Sequence, residues 1–84
     1  MVLNSVCMQV NVLAFGPLAD KMGGRMNQVE IPPNTSVRFL LEEIGLEMWL
    51  GQGLTISIND SIVGEDEPLS EGDEVVLLPP VSGG

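Results

Sequence analysis

Residues 34–45, NTSVRFLLEEIG, carry the strongest helical pattern in this chain. Val37, Leu40, Leu41 and Ile44 recur at i, i+3, i+4 and i+7, which places four apolar side chains on one stripe. Thr35 or Ser36 is suited to cap the start, and Gly45 fits the position just past the end. Glu42 and Glu43 fall on the opposite side and read as surface charge. An apolar stripe of this kind has to be covered. The chain has 84 residues, enough for one core, and its other apolar segments alternate with a period of two. The economical solution is one helix laid across one face of a mixed sheet, an α+β fold.

The strands follow from that alternation. In residues 7–15, CMQVNVLAF, Met8, Val10, Val12 and Ala14 share one parity, with Gln9 and Asn11 on the other. Residues 16–24, GPLADKMGG, suit a short helix opened by Pro17 and stopped by Gly23-Gly24. A second strand spans 25–33 with Val29 and Ile31 inward, and it ends where Pro32 cannot donate to a ladder. Residues 46–53 read as a further turn in which Trp49 covers the edge of the core. LTISI (54–58) alternates as a third strand, Asn59-Asp60 turns the chain, and residues 61–63 form a short strand. GEDEPLSEGDE (64–74) is an acidic, turn-rich connection. VVLL (75–78) is a continuous apolar run of the kind found inside a sheet. Strands one and two are expected to run antiparallel, with the first and last strands paired in the middle.

Charge narrows the partners. Twelve acidic residues against Lys21, Arg25 and Arg38 give a net charge of −9. Such a chain is repelled by phosphate backbones and anionic lipid, so neither nucleic acid nor a membrane surface is expected as a partner. A protein with a basic face is favoured. The cytoplasm fits a chain with the single cysteine Cys7, and no stretch approaches the ~20 apolar residues of a membrane helix. Residues 1–7 are an extension if Met8 is the start.

An ordinary active site is not legible. Histidine is absent, and Ser57, Ser61, Ser70 and Ser82 have no base to activate them. Glu65, Asp66, Glu67, Glu71, Asp73 and Glu74 lie in turns where carboxylates stay solvated, without calcium-loop spacing. The remaining candidate is residues 79–84, PPVSGG. Pro79-Pro80 stiffens the exit from the last strand, and six residues reach about 20 Å. Val81 offers an apolar grip and Ser82 is small. Gly83 and Gly84 lack a Cβ and pass through channels that any side chain would block. An unhindered carboxylate on Gly84 is a handle for acyl activation by another enzyme. The division expected is one domain over 1–78 and an extended tail over 79–84.

The residues INDSIVGEDEPLSEGDEVVLLPPVSGG (58–84) resemble the end of the ubiquitin-like MoaD/ThiS sulfur carriers, specifically the MoaD-like small subunits of molybdopterin synthase. Asn59 at a strand end, Pro68-Leu69, EGDEV (71–75) and the terminal PPVSGG carry the likeness. VNVLAFGPLADKMG and VEIPPNTSVRFLLEEIG resemble the family's first strand with its short helix, and its second strand with its main helix. Leu77-Leu78 stand where relatives often place aromatics. The resemblance implies a β-grasp fold with four to five strands and one main helix. It implies no bound cofactor, and a chain without an independent active site. An E1-like adenylating enzyme would use ATP to adenylate Gly84. A sulfur donor such as a cysteine desulfurase or rhodanese would convert it to a thiocarboxylate. The tail, with Pro79, Pro80, Val81, Ser82 and Gly83, would enter a large synthase subunit and pass sulfur to a pterin precursor of the molybdenum or tungsten cofactor.

Val75 and Leu77 are expected to face the helix, with Val76 and Leu78 outward. That pair is either a docking patch or is covered within the chain. Two other uses of the same tail stay open: sulfur carriage for thiamin or tRNA thiolation, and conjugation through Gly84 to lysine as a protein modifier.

Overall fold

The order of elements in the computed structural model, which describes residues 7–80, is β1 (Met8–Ala14), α1 (Pro17–Met22), β2 (Met26–Ile31), α2 (Val37–Ile44), a 3₁₀ segment (Glu47–Gln52), β3 (Thr55–Ile58), β4 (Ser61–Val63) and β5 (Glu74–Leu78). The strands form one sheet in the order β2-β1-β5-β3-β4. β1 pairs with β2 antiparallel and with β5 in parallel, so the first and last strands meet in the middle as expected. β3 pairs antiparallel with both β4 and β5. Among the described residues, no helix is long and apolar enough to cross a membrane.

α2 spans fewer residues than its sequence pattern because the flanking residues are caps. The Ser36 hydroxyl accepts from the Phe39 amide at 3.4 Å. The Val37 and Arg38 amides donate to the carbonyls of Glu67 (3.0 Å) and Glu65 (2.9 Å). The acidic loop therefore satisfies, through its backbone, two of the first N–H groups that a helix leaves orphaned. At the other end Gly45 is left-handed, and its amide and that of Leu46 close onto α2 carbonyls.

The core lies between α2 and one face of the sheet. Val37, Leu40 and Leu41 of α2 are fully buried against Val10 and Val12 of β1 and Val75 and Leu77 of β5. Ile31 is buried, whereas Val29 is only partly so, in keeping with the position of β2 at the sheet's rim. Leu18 of α1 and Leu46 close the ends of the core, and Trp49 packs at its edge. The indole Nε1 of Trp49 is buried without a hydrogen-bond partner among the described residues. The β3–β4 connection is a two-residue turn with Asn59 at φ 49° and Asp60 at φ 74°, the left-handed pair that matches strand twist in tight hairpins.

Candidate functional site

β5 delivers the tail, and its start is locked in place. Asn59 donates from Nδ2 to Asp73 Oδ1 at 3.1 Å and accepts at Oδ1 from the Glu74 amide at 3.1 Å. Its own amide donates to the Glu74 carbonyl at 3.0 Å. The other carboxylate oxygen of Asp73 accepts from the Ser70 amide at 2.8 Å. The turn before β5 is also sewn to β1: the Gly72 amide donates to the Gln9 carbonyl at 2.7 Å, and Glu71 Oε1 accepts from the Gln9 amide at 3.0 Å. The Asn59 and EGDEV features of the sequence are thus a clasp that fixes where β5 begins. Leu69 is buried, and its amide donates to Thr35 beside the start of α2.

The strand's alternation sorts its residues as the sequence suggested. Val75 and Leu77 are fully buried under α2; Val76 is half-buried and Leu78 is 40% exposed on the opposite face. The register extends this outer surface across the sheet. Leu13 lies opposite both Met26 of β2 and Val76 of β5. Ser57 lies opposite both Val76 and Ile62 of β4. Met26, Leu13, Val76, Ser57 and Ile62 therefore form one row over five strands, about 19 Å long at the usual interstrand spacing. Met26 and Ile62 at its ends are 73% and 78% exposed. Leu78, on the same face, stands beside the exit of the tail. No element of the described chain packs over this row. Sequence reasoning found Val76 and Leu78 but missed Leu13, Met26 and Ile62; the signal was their position on the otherwise polar parity of their strands. Beside the row, the Arg25 guanidinium sits 5.7 Å from the centre of the Phe15 ring.

Beyond Leu78, Pro79 and Pro80 keep one side on the body and are half-buried. The candidates Val81, Ser82, Gly83 and Gly84 lie outside the described residues, as does the proposed extension apart from Cys7, which is exposed. Of the turn acids, Glu65 is paired: Arg38 reaches it at 3.8 Å and Glu42 at 3.7 Å, in solvent-exposed contacts.

A sheet with one helical layer on one face and a central strand that leads into a glycine-ended segment defines a ubiquitin-like β-grasp domain. The comparisons agree. The ThiS family profile matches residues 12–84, and the chain belongs to the ThiS family. The molybdopterin synthase sulfur carrier subunit of Escherichia coli is 48% identical over 31 residues, 37% of this chain; the match spans only 38% of that relative. A chain in the complex of subunits 1 and 2 of the molybdopterin-converting factor from Helicobacter pylori is 35% identical, covering 92% of this chain and 100% of its own, with a TM-score of 0.59. SAMP1 from Haloferax volcanii is 25% identical, covering 90% and 99%, with a TM-score of 0.72.

Proposed function

We propose that this chain is the sulfur-carrying small subunit of a molybdopterin synthase. The observation that carries the reading is the path of β5: clasped at its start, held in the middle of the sheet, and leaving at Leu78 into PPVSGG beside the outer-face side chains Val76 and Leu78. An E1-like enzyme consumes ATP to adenylate Gly84, which turns a poor electrophile into one with AMP as leaving group. The persulfide of a sulfur donor of the cysteine desulfurase or rhodanese kind attacks the acyl carbon and expels AMP, giving an acyl disulfide. A second thiol then cleaves the S–S bond, is itself oxidised to a disulfide with the donor sulfur, and leaves a thiocarboxylate at Gly84. The sulfur of a thiocarboxylate is strongly nucleophilic at neutral pH, whereas the oxygen of a carboxylate, though also ionised, is a weak nucleophile. The large subunit receives the thin tail and supplies the catalytic side chains, which accounts for a chain without histidine.

Docking uses the row through Leu13 and Val76 together with Leu78. Apolar contact there holds the body while Pro79 to Gly83 thread the tail inward. The net charge of −9 matches a partner with an apolar centre and a basic rim. The likeness to a chain of the molybdopterin-converting factor complex supports pairing with a second, larger subunit. The test is reconstitution: thiocarboxylated chain and large subunit convert the pterin precursor, and the chain without Gly84 does not. Conversion by the truncated chain refutes the reading.

A second reading is conjugation through Gly84 to lysine, supported by the likeness to SAMP1. High-mass adducts of the tagged chain in cell lysate, absent when Gly84 is deleted, would favour it over sulfur transfer.

A further inference from the structure

Two glycines stand on either side of the tail's first residues. Gly16 follows β1, on one side of β5, and Gly53 precedes β3, on the other. Gly16 has φ 61° and ψ −136°, and Gly53 has φ 93° and ψ 31°, conformations that L side chains rarely adopt. A Cβ built on Gly16 would lie 3.4 Å from Pro79 Cγ, and one on Gly53 would lie 3.5 Å from Pro80 Cβ. A methyl group would just touch each proline, so anything longer directed at it would displace it. By contrast, Gly45 has a similar left-handed backbone, φ 79°, with nothing within 4 Å of its would-be Cβ.

We infer that Gly16 and Gly53 are positioning residues for Gly84: two bare backbone corners that seat Pro79 and Pro80 and so set the direction in which the tail leaves the sheet. The seat confines a proline ring on each side. A defined direction matters because an activating enzyme binds the body through one surface and must find the terminal carboxylate at a fixed place. Misplacement by about 1 Å at a reacting group costs up to ~100-fold in rate. The functional consequence rests on the sulfur-carrier reading; the seat itself does not.

The experiment compares Gly53→Asn with Gly45→Asn. Asparagine tolerates the left-handed backbone, so both variants keep the fold, and only the first adds bulk beside the tail. Steady-state adenylation of Gly84 by a cognate activating enzyme is measured for both, with thermal melting alongside. Gly53→Asn is expected to lower kcat by about 10-fold or more with KM unchanged, since the outer face is untouched. Gly45→Asn is expected to match the parent. Pro79→Gly/Pro80→Gly, which frees the tail from the other side of the contact, is expected to show the same loss in kcat. Equal behaviour of Gly53→Asn and Gly45→Asn, whether both impaired or both intact, overturns the inference. Amide NMR of the free protein separates the two levels of the argument. Gly53→Asn should shift the Val81 and Ser82 amides and Gly45→Asn should not. If the parent chain is never adenylated by an active enzyme, the carrier reading fails, and the seat stands or falls on those NMR shifts alone.

Discussion

Val75 and Val76 are neighbours with opposite duties, and substituting each by aspartate separates folding from docking. Val75 is fully buried beneath α2. A carboxylate there has no partner in an all-apolar core, at a cost of several kcal/mol. A small domain has a total stability of about 5–15 kcal/mol, so Val75→Asp is expected to be largely unfolded. Val76 points to the other face, between Leu13 and Ser57 in register. In the free protein its carboxylate stays hydrated, and the cost is the strand preference lost, about 1 kcal/mol. In a complex that covers the outer face, the same carboxylate is stripped of water without a counter-charge, at about 3 kcal/mol or more. At 1.4 kcal/mol per decade, that is a loss of roughly 100-fold in affinity. Circular dichroism melting reads the first quantity, and calorimetric titration with the large synthase subunit reads the second. The reasoning is refuted if Val76→Asp binds within a few-fold of the parent, or if it melts as Val75→Asp does.

Other expectations follow from the same geometry. Leu77→Ala empties a fully buried site in the central strand and is expected to cost about 2–5 kcal/mol in urea unfolding. Asp73→Ala removes acceptors for both Asn59 and Ser70; a loss of about 1–3 kcal/mol and faster hydrogen exchange at the Glu74 amide should accompany it. Arg38→Ala breaks two exposed contacts of 3.7 and 3.8 Å and is expected to leave the urea midpoint nearly unchanged, within about 0.5 kcal/mol. Association with a basic-faced partner should slow as ionic strength rises from about 0.05 to 0.5 M, read by stopped-flow mixing.

Periodicity made much of this fold legible. The stripe of α2 and the alternation of β1 and β3 each named their buried residues, because one face of each element meets the core and the other meets water. The pairing of β1 with β5 was readable from the apolar run in VVLL. What resisted reading was anything created by register. Leu13, Met26 and Ile62 looked like stray apolar residues in separate strands, and only the pairing of five strands brings three of them into line with Val76. Gly16 and Gly53 lie 37 positions apart, one at the start of a short helical stretch and one in a turn, and nothing local singles them out; their approach to Pro79 and Pro80 arises from the sheet order. The acids of residues 64–74 read as solvated turns. Their side-chain and backbone roles in clasping β5 and capping α2 depend on contacts with distant segments.

Intact-mass spectrometry of the purified chain, incubated with a cognate activating enzyme, ATP and a sulfur donor, tests the central proposal most directly. The account predicts a mass gain equal to exchanging one oxygen for one sulfur, localised to Gly84 and abolished by its deletion. An unchanged mass, with an enzyme that visibly activates another carrier of the family, would contradict it.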